Sequence, residues 1–411
     1  MHEFTAYFVD DDEFIVRALQ RTLKRLVPHW QIHYFVDPSV LVAQLPSITN
    51  AHLVISDRMM PVIHGEAVLG AVKQHIPSAI RVLLTADTSA EVVVQDCSLI
   101  HHFLAKPFTD ADFVRVFQCA ERLATLPMDA VTRSTLGSMS ELPILPAHFY
   151  QLQQLCHDPA SELNQLGVVV GRDPVLVGRI LQLANSPFMG YSRATNAIDE
   201  ALLRLGFDLV LGLAANLYSH QQMSGKVTEQ VHQQILTQAW QQATIAKVLA
   251  RQSELSPKLQ DQIFMGALLC ALGQLVLIAQ PSTFANNEKA VADYWPNGDL
   301  ITAYLLTLWG FEPAISHAVL TQQQLRDLPD DSSLIAACLH SSRVLWHRLN
   351  SRDQTQVAPE VHKFLRREFE SLWHQAVTGQ LRALRGSAYD RAIVVQTHGV
   401  FCRRYSGRLY S

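Results

Sequence analysis

The 411-residue chain is 48% hydrophobic and 17% charged, the proportions of a globular protein with room for two or three separately cored domains. A formal charge of −4 excludes a nucleic-acid or membrane footprint spread over the whole chain. The charge is uneven, however: Arg343 to Ser411 carries twelve Lys/Arg against five Asp/Glu, a +7 tail on a −11 remainder.

Residues 1 to about 124 alternate short apolar runs with helical periods. The runs are Phe4 to Val9, Gln31 to Val36, His52 to Ser56, Ile80 to Leu84 and Ile100 to Ala105. Between them the 3.6-residue period predicts helices at 12–27, 39–45, 64–75, 89–97 and 109–124. Five strands alternating with five helices predict a doubly wound five-stranded parallel sheet. Residues 125–140 have a linker composition without a clear period. Beyond Leu142 the strand signal stops. Helices are predicted at 146–157, 161–171, 174–185, 198–205, 207–223, 227–253, 257–279, 298–309, 312–323 and 331–349. The expected organisation is thus an α/β domain (1–124), a linker (125–140), an all-α domain (141–340) and a basic extension (341–411). The extension is predicted helical near 359–384, with Ala392 to Tyr405 open between strand and tail.

The six cysteines are scattered without a C-x-x-C pair, as expected of free thiols in a reducing cytoplasm. No secretory leader is visible in Met1 to Val9. The longest apolar stretch, Ile263 to Ala279, includes Gln274 and falls short of the roughly 20 residues a span requires, so it reads as a buried helix.

In a parallel α/β sheet the strands end at one edge, where ligands bind. Asp10 and Asp11, Asp57, Thr85 and Lys106 lie at or just past four predicted strand ends. A lone strand-end Asp is usually a helix cap, but these positions have complementary roles. Asp57 can accept a phosphoryl group as an acyl phosphate. Asp10 and Asp11 offer hard oxygen ligands suited to Mg²⁺. Lys106 and Thr85 can hold phosphate oxygens.

The segments Val9-Asp10-Asp11-Asp12, Ser56-Asp57-Arg58-Met59-Met60-Pro61 with Gly65, Leu84-Thr85-Ala86 and Leu104-Ala105-Lys106-Pro107-Phe108 resemble the receiver domain of two-component response regulators. That resemblance implies a flavodoxin-like fold and phosphorylation of Asp57 by a sensor histidine kinase, one step of a phosphorelay. It also implies Mg²⁺ held by Asp10, Asp11, Asp57 and the backbone carbonyl of Arg58. Thr85 and Lys106 become the phosphate-sensing pair and Phe103 the switch aromatic. Receivers of this family pair through their fourth helix and fifth strand, so homodimerisation on phosphorylation is expected.

Residues 142–340 resemble the HDOD domain, a relative of the HD metal-dependent phosphohydrolases. The resemblance rests on Asp173-Pro174 through Arg179, Leu183-Ala184-Asn185-Ser186, Ile198 to Gly206, and Ala303 to Trp309-Gly310. Structural roles account for the same residues: Asp173 as N-cap with Pro174 first in the helix, and Gly206 as a helix break. Where HD enzymes carry a histidine on one helix and a His-Asp pair on another, this chain places Gln242 and Cys270-Ala271. Neither Gln nor Ala replaces imidazole or carboxylate at a metal centre, so no cofactor is expected here and the domain reads as non-catalytic, binding a downstream protein. His157-Asp158 precedes Pro159 and reads as a helix stop. The alternative is an HD-type metal phosphohydrolase acting on a nucleotide or cyclic dinucleotide. A DNA-binding role is disfavoured, since Leu205 to Gly225 contains no Lys or Arg. The +7 tail is the one nucleic-acid candidate.

Overall fold

The computed structural model describes residues 4–87, 99–139, 142, 144–158, 160–191, 193–224, 228–279, 297–323 and 331–350. The helices expected at 89–97 and 359–384 and the stretch 392–405 lie outside these residues. The chain divides into two compact units, Met1–Thr237 with Leu269–Ser316, and Gln238–Leu268 with His317–Ser411.

The first unit holds the predicted sheet. Strands β1 (Phe4–Val9), β2 (Trp30–Phe35), β3 (Leu53–Asp57), β4 (Ile80–Thr85) and β5 (His102–Ala105) are all parallel, in the order 2-1-3-4-5. Phe8, Val54, Val82, Leu83 and Leu104 are wholly buried, as expected of parallel strands covered on both faces. That double burial is why the strands read as continuous apolar runs. Helices α1 (Glu13–Leu26), α2 (Pro38–Gln44), α3 (Gly65–His75) and α4 (Asp110–Thr125) follow strands in turn. The order reverses between β1 and β3, and the pairs Val9↔Ser56, Asp57↔Leu84 and Thr85↔Ala105 align the carboxyl ends around that reversal.

Residues 125–140, expected to lack regular structure, contain helix α5 (Ala130–Ser138). Asp129 caps it, accepting from the Thr132 amide (2.8 Å) and hydroxyl (2.9 Å). The Arg133 guanidinium donates to the carbonyls of Leu123, Ala124, Leu126 and Met128, closing the end of α4. Side-chain capping and guanidinium bonds hold this short helix in place of a long apolar stripe, which is why periodicity missed it.

Helices α6 (Pro146–His157), α7 (Leu163–Val170), α8 (Pro174–Ala184) and α9 (Ile198–Ser224) follow, then α10 (Glu229–Gln252), which runs from the first unit into the second. Asp173 caps α8 as expected, and Asp158 ends α6 with its amide bonded to the Gln154 and Leu155 carbonyls. At Gly206 α9 is broken; its φ of 75° belongs to the left-handed region where a Cβ is strained.

The helix expected over 257–279 is two, α11 (Pro257–Leu269) and α12 (Ala271–Ala279). At the break, the Thr302 hydroxyl donates to the Cys270 carbonyl (3.3 Å) and accepts from the Gly273 amide (3.0 Å). A hydroxyl inserted into the ladder accounts for the interruption. Thr302 lies on α13 (Asn297–Leu308), packed against α12 and α4. Ile198–Ser219 and Pro257–Ala279 are long and apolar enough to cross a membrane, yet 78% of the latter is buried within the protein.

In the second unit, the remainder of α10 and α11 are joined by the Lys247–Asp261 ion pair (3.0 Å). The end of α14 (Pro313–Thr321) and α15 (Asp331–Asn350) complete it, with the Trp346 indole donating to Gln241 Oε1 at 2.8 Å.

Two contacts in the first unit tie its elements together, one from the sheet and one between helices. On β4, Arg81 is 1% exposed and faces no carboxylate among its bonded partners. It donates to the carbonyls of Leu99, Pro77, Ala79 and Gly137, and its Nη2 lies 2.7 Å from His101 Nε2. Burial pulls its pKa down to about 10. On α4, the Cys119 thiol donates to the Thr307 carbonyl of α13 at 2.9 Å, and burial pushes its pKa up to about 12.

Candidate functional site

Three acids follow β1 and divide their work. Asp12 faces away as the N-cap of α1, accepting from Phe14 (2.8 Å) and Ile15 (3.4 Å) amides. Asp10 is buried, its Oδ1 accepting from the Asp12 amide at 3.0 Å. Asp11 is exposed beside it. Asp57, the last residue of β3, is also buried, and its Oδ2 accepts from the Met59 amide at 3.1 Å. Carboxylate oxygens of Asp10, Asp11 and Asp57 all lie within 4.8 Å of one another, the only such ligand group among the described residues.

Lys106, one residue past β5, reaches into this cluster. Its Nζ lies 2.5 Å from Asp57 Oδ1 and 3.3 Å from Asp10 Oδ2. Desolvation pulls the Lys106 pKa down, but the Asp57 hydrogen bond and the charges of Asp10 and Asp57 outweigh it and raise it. Burial raises the pKa of Asp10, only partly offset by the Asp12 amide and Lys106, while Asp57 adds repulsion. At an effective dielectric of about 20, two carboxylates at such a separation repel by about 3 kcal/mol. One lysine beside three carboxylates leaves two negative charges uncompensated. A divalent cation would balance them, and a donor set made wholly of oxygen fits Mg²⁺.

The Arg58 carbonyl accepts from the Gly65 amide at 2.9 Å, which leaves its second lone pair for a ligand. Gly65 is required by close approach: a Cβ there would lie 2.1 Å from the Asp57 carbonyl oxygen. The Arg58 side chain pairs with Glu66 (2.5 Å) and Asp87 (3.3 Å) at the pocket mouth. Thr85 is buried, and its hydroxyl accepts from the Asp87 amide (3.0 Å) and donates to the Asp87 carbonyl (3.3 Å). Asp87 therefore holds both Arg58 and Thr85; its only sequence signal is its place two residues after Thr85. Phe103 is buried on β5 opposite Leu83, on the same sheet face as Thr85.

The HD positions lie elsewhere. Gln242 is buried, and its Nε2 has no hydrogen-bond partner among the described residues. Cys270, at the break, and Ala271, the first residue of α12, are buried. A polar pair that sequence reading used only as a cap is His148–Asp173: Nδ1 lies 3.0 Å from Asp173 Oδ2, which also accepts from the Leu145 amide. His148 gave no spacing signal.

A family model for the response regulator receiver domain matches residues 7–118, and one for the HDOD domain matches 142–325. The chain is a receiver–HDOD response regulator. Its receiver and HDOD domains give it a signalling role. Among solved structures it is similar to the MmoQ response regulator from Methylococcus capsulatus str. Bath, at 22% identity over 57% of this chain and 97% of that one, TM-score 0.45. A signal receiver domain of an HD domain-containing protein from Pseudomonas fluorescens Pf-5 matches at 26% identity over 29% of this chain and 96% of that one, TM-score 0.27. An HDOD domain protein of unknown function from Geobacter sulfurreducens matches at 19% identity over 69% and 95%, TM-score 0.31. An uncharacterized protein of Treponema pallidum (strain Nichols) is 28% identical over 146 residues, 35% of this chain and 27% of that relative's length.

Proposed function

We propose that the receiver–HDOD chain is switched by phosphorylation of Asp57, with a sensor histidine kinase as donor and an HDOD output that binds a partner protein without catalysis. The observation that carries this reading is the convergence of Asp10, Asp11 and Asp57 with Lys106 between two of them. Asp10, Asp11, Asp57 and the Arg58 carbonyl would hold Mg²⁺, which offsets the charge of the incoming phosphoryl group. Asp57 supplies the nucleophilic oxygen, and Lys106 holds a phosphate oxygen once Asp57 carries the group. Thr85 then turns from Asp87 toward the phosphate.

Gln242, Cys270 and Ala271 in place of metal ligands favour a binding output over hydrolysis. We assign the receiver to 1–124, the connector to 125–140, the HDOD domain to 141–340 and the basic extension to 341–411. The test is phosphoryl uptake by the full chain from an acyl-phosphate donor with Mg²⁺, followed by intact mass. Wild type is expected to gain one phosphoryl group and Asp57→Asn none. Equal uptake by Asp57→Asn would sink the proposal. Metal analysis of the same preparation tests the output: two tightly bound Fe, Mn or Zn per chain would restore the hydrolase alternative.

A further inference from the structure

The largest cavity described in the first unit lies at the wrong end of the sheet for the phosphorylation site. Ligands of parallel sheets usually bind at the carboxyl ends of the strands, where Asp57 sits. This cavity, of about 1080 Å³, opens instead at the amino ends, lined by Phe4 at the start of β1 and His52 just before β3. Leu123 and Ala124 of α4, Arg133 of α5 and Tyr304 of α13 also line it. Phe4 meets His29 (6.2 Å) and His52 (5.3 Å) edge-on, which gives the cavity an aromatic wall. Its size falls at the upper end of small-molecule pockets, about 300–1,000 Å³.

Two polar groups of this lining lack the partners that burial demands. Tyr304 is 2% exposed, and its hydroxyl has no hydrogen-bond partner among the described residues. A hydroxyl buried without a bond is costly, and here the cavity is where a partner can come from. Burial pushes its pKa up to about 12, so at neutral pH it remains a donor. Arg133 is half-buried and forms no ion pair with a carboxylate among the described residues. Asp129 is near enough to act on its charge, but the Asp129 oxygens accept from the Thr132 amide and hydroxyl. A guanidinium has five N–H donors. Those of Arg133 reach the carbonyls of Met128, Leu123, Ala124 and Leu126, which leaves one on Nη1.

We propose that this cavity is a binding site for an amphipathic monocarboxylate, its head held by Arg133 and Tyr304 and its apolar body by Phe4, Leu123 and Met128. The head group follows from the donors. One guanidinium N–H and one phenolic O–H match the two oxygens of a carboxylate, and one uncompensated positive charge matches its single negative charge. A phosphate monoester brings up to two charges and three oxygens to the same two donors. An alcohol leaves the Arg133 charge without a counter-ion. The lining comes from the receiver, the connector helix α5 and α13, so a bound carboxylate ties these three together at the end of the sheet away from Asp57. The site needs no phosphoryl group and is independent of the function proposed for Asp57.

Calorimetric titration of the full chain at neutral pH with decanoate, 1-decanol and decyl phosphate tests this. Decanoate is expected to bind once per chain, about tenfold tighter than either of the other two, because only its head satisfies both donors and the charge. Tyr304→Phe removes a hydroxyl that no described residue uses. It is expected to leave the ligand-free melting temperature unchanged and to weaken decanoate binding about tenfold. Ala124→Phe places a ring in the cavity and is expected to abolish saturable binding; should that variant not fold, Tyr304→Phe decides alone. The proposal is overturned by absence of saturable one-to-one binding, by equal affinity for 1-decanol, by tighter binding of decyl phosphate, or by a Tyr304→Phe chain that binds decanoate as wild type does.

Discussion

Buried polar groups serve opposite ends in the two domains of this chain. At the receiver's strand ends, Asp10, Asp57 and Lys106 are drawn together from positions 96 residues apart in sequence, and their charges do not cancel. In the HDOD domain, Asp173 spends its oxygens on the Val175, Leu176 and Leu145 amides and on His148. His232 is 1% exposed with neither ring nitrogen hydrogen-bonded among the described residues, and burial lowers its pKa. A site fit to bind an ion keeps charge in excess. A site that builds a core satisfies its polar atoms or keeps them neutral.

Arg81 gives the largest test of that contrast, because it is a buried charge used wholly for construction. Arg81→Met leaves the carbonyls of Leu99, Pro77, Ala79 and Gly137 without their donor. The expected loss is about 3–5 kcal/mol, read by urea denaturation. A loss below about 1 kcal/mol would show the guanidinium to be dispensable.

Asp10 should behave the other way. Folding raises its pKa, so the folded chain holds the Asp10 proton more tightly than the unfolded chain does. The charged carboxylate therefore costs stability at neutral pH, and the cost disappears as pH falls through the raised value. Asp10→Asn is expected to abolish Mg²⁺ binding and yet raise the Mg²⁺-free melting temperature by a few degrees, on the order of 1 kcal/mol. In wild type, Mg²⁺ affinity by calorimetry should fall on acidification, starting above the ordinary Asp range and approaching about tenfold per pH unit. A lower melting temperature for Asp10→Asn would remove the distinction between ligand site and core.

The smallest effect is expected at the connector. Asp129→Ala removes the cap of α5 and should cost about 1 kcal/mol by the same denaturation assay, leaving phosphoryl uptake unchanged. Altered uptake would mean that the connector belongs to the signalling path.

The convergence of Asp10, Asp11, Asp57 and Lys106 was legible in the sequence because these residues sit where apolar runs stop, a pattern a parallel sheet imposes. The Asp173 cap and the Gly206 break were legible because each is a local backbone event. What escaped was set at long range. The break at Cys270 depends on Thr302, and the bonds of Gln182 and Ser186 depend on carbonyls more than 80 residues upstream. Asp87 escaped for a different reason: an acid two residues past a strand reads as loop until Thr85 and Arg58 are seen to share it. No period or motif encodes a hydrogen bond between a side chain and a distant main chain.

The Cys119 thiol turns the junction of the two domains into a chemical clock. Only a thiolate attacks disulfides and alkylating reagents, and a buried thiol with its pKa near 12, bonded to the Thr307 carbonyl, is almost never ionised at neutral pH. Its modification must wait until α4 and α13 part. The rate at which Cys119 is labelled therefore counts openings of the native chain, with no reporter group added.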